Sequence, residues 1–189
     1  SQLLSETEAN SFFFVSAYVT YPGVSRVKNL LEEYQIEDCN AVFGLDGVVT
    51  QPSAIEYAID LNWDVRFIES SDPHFHPKFA VSMGSSPDYK ILGGYIGSAN
   101  FTKGGLSENI EAGILLQDDS VFSDLKSTVK DVWRVAEPVD SVDLEAYSEQ
   151  YAKSSRDQST GTQPAGVGAD ITSEVETVDE SGPPEQPSY

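Results

Sequence analysis

Only two histidines occur in the 189 residues, and both fall in Asp72-Pro73-His74-Phe75-His76-Pro77-Lys78, at the entry of a β-rich run. In an extended strand residues i and i+2 share a face, so His76 and Lys78 point to one side while Phe75 and Phe79 point to the other. The same arithmetic puts Ser98 and Asn100 on a common face in Gly97-Ser98-Ala99-Asn100-Phe101-Thr102, with Lys103 just beyond. Eleven residues past Asn100 comes Glu111, between Ile110 and Ile114, where an alternating strand would carry an apolar side chain. An imidazole takes and gives protons near neutrality, and an ammonium, a hydroxyl and an amide are the donors an oxyanion requires.

Each residue also has a plainer explanation. His76 alone reads as a hydrogen-bonded structural histidine and Lys78 as a solvated strand-end lysine. Asn100 can cap the turn into Phe101-Thr102-Lys103, Ser98 can be a small packing residue, and Glu111 can sit in a structural ion pair. His74 reads as a rim residue, as a second catalytic base, or as half of a metal site with His76, for which a third ligand is missing from any evident spacing. Lys103 either binds a nucleic-acid backbone or stays solvated.

The ordered set His76-Pro77-Lys78, Gly97-Ser98-Ala99-Asn100-Phe101-Thr102 and Glu111-Ala112-Gly113 resembles the HKD signature of the phospholipase D superfamily. It is most similar to the branch of nucleases and restriction endonucleases with one signature per chain. Phe43-Gly44-Leu45-Asp46, followed by a helix start at Thr50-Gln51-Pro52-Ser53, also resembles that branch, and the resemblance covers roughly residues 10–135. It implies a phosphodiesterase, a metal-independent nuclease acting on DNA or RNA, with no cofactor. His76 is then the nucleophile that forms a phosphohistidine, and Lys78, Ser98 and Asn100 hold the phosphoryl oxygens, with Lys103 on the substrate backbone. Glu111 orients the His76 ring, and a second imidazole comes from His76 of another copy, making a homodimer the active unit. A separate specificity subunit or domain fits this scheme. A phospholipase using the same residues, or a non-catalytic nucleic-acid-binding or scaffold protein, is the alternative. The signature's Asp, due five residues after the Lys, falls at Met83.

The positioning elements follow from periodicity. Ser11–Val19, Asn40–Leu45 and Asp64–Glu69 read as buried strands, separated by amphipathic helices over Val24–Tyr34 and from a Thr50 or Ser53 cap to Leu61. That rhythm predicts βαβ units. Lys78–Met83, Lys90–Ile96 and Ile110–Leu116 then follow with no helix of ordinary length between them, Ser85-Ser86-Pro87-Asp88 reading as a hairpin loop. The expectation is an α/β fold, one domain built on a mixed, mostly parallel sheet flanked by helices. A helix over Val121–Val135 closes the core, and a short one follows over Val142–Tyr151. Residues 1–152 form this domain, and residues 153–189, whose one aromatic is Tyr189, are expected to be a disordered acidic tail.

Composition narrows the setting. The formal charge is −20, with 11 basic and 31 acidic residues, and residues 1–148 alone carry nine against 23. Such a charge repels nucleic acid and anionic membranes unless salt screens it or a local patch reverses it. An acidic partner-binding protein and a halophilic protein from a high-salt cytoplasm both fit, and the scatter of the acids favours the second. A catalytic site should then gather the few basic residues around His76. Cys39 is the single cysteine, which excludes an internal disulfide and Cys-rich zinc sites. No apolar run of 18 residues and no basic-then-apolar leader is present, so no membrane contact and a soluble, cytoplasmic protein are expected.

Overall fold

The computed structural model describes residues 2–5, 7–70, 72–85 and 88–159. After a short helix α1 (Gln2–Ser5) the chain runs β1 (Ser11–Ser16), α2 (Tyr21–Glu33), β2 (Asp38–Gly44), α3 (Pro52–Asp60) and β3 (Asp64–Ile68). It continues through β4 (Lys78–Met83), β5 (Ile91–Gly97), β6 (Gly113–Leu116), α4 (Phe122–Val135), the two-residue β7 (Glu137–Pro138) and α5 (Leu144–Ser159). The seven strands form one sheet in the order β6-β5-β4-β1-β2-β3-β7.

The mixed sheet is the expected one, but its parallel part is confined to β1, β2 and β3, which pair through the α2 and α3 crossovers. Pairings of β4 with β1, β5 with β4, β6 with β5 and β7 with β3 are antiparallel and outnumber the parallel ones. A parallel neighbour needs a crossover of a dozen or more residues, usually a helix; the connections into β4 and β5 are nine and seven residues long, and the 15-residue one into β6 holds only the short helical turn Gly104–Glu108.

Strand β1 lies at the centre and is buried along its whole length, which is why SFFFVS is apolar without alternation. Phe12 and Phe14 pack with Ala41, Phe43, Val65 and Phe67 beneath the apolar stripes of α2 and α3. On the opposite face Phe13 and Val15 pack with Val42, Phe79, Val81 and Met83 beneath Leu125 of α4, and Trp133 closes against them.

Three boundaries differ from expectation. Helix α3 is entered from Gln51 with no side-chain cap, because the hydroxyl of the buried Thr50 donates 2.6 Å to the Gly44 carbonyl, tying the end of β2 to the helix. Strand β6 starts at Gly113, three residues late, because the Ala112 N–H donates to the Ser98 hydroxyl and leaves the ladder. Helix α5 continues to Ser159, past the expected boundary at residue 152, aided by a Glu149–Lys153 pair one turn apart. It is docked by the buried Tyr147, whose hydroxyl donates 2.8 Å to the Thr50 carbonyl, and burial and the nearby Tyr151 push that phenol far up. The rest of the expected tail, residues 160–189, lies outside the described residues. Among the described residues no helix is long and apolar enough to cross a membrane.

Helix α2 is capped by Thr20, which accepts from the Gly23 N–H, and its first turn rests on the loop after β5. A methyl group on Gly23 would meet the Phe101 carbonyl oxygen at 1.9 Å. Gly23→Ala should therefore cost about 1–3 kcal/mol despite alanine's better helix propensity. Gly84→Ala, whose nearest neighbour would be 3.9 Å away, should change stability by less than about 0.5. Chemical denaturation of the two variants checks this, and equal effects contradict it.

Candidate active site

The antiparallel half of the sheet delivers the singled-out residues to one end. Lys78 opens β4 and pairs in register with Ser16 at the end of β1. Strand β5 returns to the same end at Gly97, and β6 leaves it from Gly113. Ser98, Asn100 and Glu111 thus sit on the loop that joins β5 to β6, beside the start of β4.

Lys78 is only 7% exposed although it carries a charge. Its Nζ lies 2.9 Å from Nδ1 and 3.2 Å from Nε2 of His76, and donates 3.0 Å to the His76 carbonyl. An ammonium can only donate, so the ring nitrogen that receives it presents a lone pair. Burial pulls the Lys78 pKa below the usual lysine value, and the negative charge of Glu111 opposes that shift. His76 itself is exposed, with the ammonium beneath it.

Across the loop the Ser98 hydroxyl donates to Glu111 in a short hydrogen bond and accepts from the Ala112 N–H at 3.0 Å. Glu111 also receives the Asn109 amide at 3.3 Å. Glu111 makes no hydrogen bond to the His76 ring; it orients Ser98 and faces the Lys78 charge. Asn100 alternates with the buried Ala99 and Phe101, and the Phe101 ring stacks on Phe14 at 4.3 Å. Gly105 supports this segment from behind, its Cα so near that a methyl would meet the Asn100 carbonyl at 2.4 Å.

Lys103 is turned into an ion pair with Glu108 at 2.5 Å. His74 is exposed, its Nδ1 4.0 Å from Asp46. Met83 belongs to the α4-side core, at the far end of β4 and on the face opposite Lys78, so no side chain there would reach the site. The expected gathering of basic residues is not found. Among the described residues the site has Lys78 and the ion-paired Lys103, while Lys126, Lys130 and Arg134 lie along α4, which covers the opposite face. Among the described residues no group of three His, Cys, Asp or Glu side chains is placed to hold a metal ion.

Two positioning residues carried no signal that assigned them this work. Ser16, fully buried, accepts the Phe101 N–H at 3.0 Å, donates 2.7 Å to the Tyr18 carbonyl and lies 3.4 Å from Asn100 Oδ1. A polar residue on the face it shares with Phe12 and Phe14 was the available hint. Asp46, in the turn after β2, accepts the Ser70 N–H at 2.5 Å and the Phe75 N–H at 2.6 Å, clamping both ends of the segment that leads to His76.

Comparison with known proteins bears on the fold. The family model described as "Cardiolipin synthase, PLD-like domain" matches residues 44–133. No curated protein matches at a significant level. Among solved structures, the phospholipase D family member Nuc from Salmonella typhimurium superposes with a TM-score of 0.54 at 17% identity, covering 72% of this chain and 88% of Nuc. NucT from Helicobacter pylori gives 0.53 at 17% identity with the same coverages.

Removing the Asp46 clamp frees two backbone donors at once. Asp46→Ala should lower stability by about 2–3 kcal/mol, since a hydrogen bond to a charged group contributes roughly 1.5–3 kcal/mol. Amide exchange at Ser70 and Phe75 should speed up more than in β1, and uniform loss of protection across the sheet would contradict a local clamp.

Proposed function

We propose that this chain, whose residues 44–133 match the phospholipase-D-like family model, is a phosphodiesterase, a nuclease working through a phosphohistidine on His76. The observation that carries this reading is the buried Lys78 ammonium held against the exposed His76 ring, beside Ser98 and Asn100 at one sheet end. In the proposed reaction a His76 nitrogen attacks phosphorus in line, a nitrogen–phosphorus bond forms and the bond to the leaving oxygen breaks. Lys78 exchanges its contact with the ring for a non-bridging oxygen, where Ser98 and Asn100 add a hydroxyl and an amide. Glu111 holds Ser98 in place and balances Lys78. A second imidazole gives its proton to the leaving oxygen, then takes one from the water that breaks the nitrogen–phosphorus bond. That imidazole is assigned to His76 of a second copy across a two-fold axis, because His74 is turned toward Asp46.

With a side-chain nucleophile and a lysine on the phosphate, the scheme contains no step for a divalent ion. Labelled single- and double-stranded DNA and RNA, incubated with and without EDTA in molar KCl and in low salt, test it. A second reading, hydrolysis of a lipid phosphodiester, is favoured by the description of the matched family model. Anionic phospholipid vesicles in the same assay separate the two.

His76→Ala should lower cleavage by at least about 10³-fold, while Glu111→Gln, which keeps a hydrogen-bonding group, should lose roughly 10–100-fold. Near-parent activity in His76→Ala would defeat the mechanism. Activity should persist in EDTA, and light scattering should show a dimer. Because the Lys78 pKa is lowered, its charge disappears at a lower pH than for an ordinary lysine. The alkaline limb of the rate profile should therefore fall below about pH 10.4, and a limb that Lys78→Arg fails to move upward would assign it to another group.

A further inference from the structure

Tyr95 of β5 shares the site-side face with Lys78, since its register partner is Ala80, two residues on. Its ring lies across the cross-strand pair Gly97 and Gly113. A methyl at Gly97 would stand 2.2 Å from the Tyr95 hydroxyl, and one at Gly113 2.2 Å from its ring. The two glycines thus form a floor for the ring, which is partly buried and within electrostatic reach of Glu111; burial first, and then that charge, raises the phenol's pKa. Beside the ring opens a cleft of about 410 Å³, walled by Leu3, Phe12, Leu106 and Leu115, with Glu111 on its rim. The cleft continues past Gly105 to the segment that carries Asn100.

Charge bears on what enters it. A duplex presents one phosphate charge about every 1.7 Å and is held by lysines and arginines that neutralise several of them. Here, among the described residues, each copy offers Lys78 with Lys103 paired to Glu108, so even a dimer brings few free cations, on a chain of net charge −20. Affinity must then come from ring stacking and apolar burial, which only an unpaired base can provide.

We propose that Tyr95 and the adjoining cleft receive one unstacked nucleobase next to the scissile phosphate, making single-stranded nucleic acid the substrate. This rests on the nuclease reading. A base inside a duplex would have to be flipped out first, at a few kcal/mol.

Matched single- and double-stranded oligonucleotides, assayed with the full chain and with Tyr95→Phe and Tyr95→Leu, test it. The parent should favour single strands by at least about tenfold. Tyr95→Phe should keep that preference, and Tyr95→Leu should raise KM on single strands about 5–150-fold with kcat little changed, the range that stacking on an aromatic ring gives. As a test that needs no variant, adenosine monophosphate should inhibit the parent at least about tenfold more strongly than ribose 5-phosphate. Equal cleavage of both strand forms, an unchanged KM in Tyr95→Leu, or equal inhibition by the two phosphates overturns the base site while leaving the nuclease reading intact. Hydrolysis of phospholipid vesicles with every oligonucleotide untouched overturns both.

Discussion

A lysine ammonium taken largely out of water and set against an imidazole is the contact on which the rest of this structure turns. Desolvating a charge is expensive unless partners replace water. Lys78 has two such partners in the ring and carbonyl of His76, and a balancing charge in Glu111. The arrangement leaves Lys78 short of acceptors of full negative charge, which is the condition under which an incoming phosphate oxygen gains most. Its position follows from the fold: β4 lies against the central strand, so its first residue is covered on the α2 side while the loop before it stays open.

The spacing of the chemical residues is a consequence of antiparallel topology. The start of β4, the end of β5 and the start of β6 share one end of the sheet only because each strand reverses the last. About twenty residues separate Lys78 from Ser98, which is one strand out, a turn and one strand back. A parallel arrangement would have required a crossover and put Ser98 and Lys78 at opposite ends of the sheet. Rigidity comes from the parallel half: Ser16 at the end of β1 takes the Phe101 N–H, and Asp46 beyond β2 holds the approach to His76.

Much of this was legible in the sequence, and the misses have physical causes. Apolar runs marked β1 and β2 because both faces of a central strand are buried, and β4 showed only as a β-rich run. The i, i+2 rule placed His76 with Lys78, and the ordered motifs placed Ser98, Asn100 and Glu111 at one end. Composition could not show that Thr50 spends its hydroxyl on a carbonyl six residues back and not on a helix cap, because both uses need the same residue type. The partner of Glu111 was misassigned because it depends on where β6 begins, and Ile110 reads as a strand residue although it is fully exposed. Ser16, Asp46 and Tyr95 act through backbone N–H groups and glycine floors, contacts between segments far apart in the chain. The gathering of cations around His76 failed: three basic residues lie on α4, on the other face, and Lys103 is held by Glu108.

The central claim is a covalent bond between His76 and the substrate phosphate, and trapping that bond tests it most directly. The protein would be mixed with DNA radiolabelled at the internal phosphates, quenched in alkali, where phosphohistidine survives, and digested for peptide mass spectrometry. The account predicts label on the peptide containing His76, at a level that rises before product and is absent in His76→Ala. Product formed with no labelled peptide, or label carried by a residue other than His76, would contradict it.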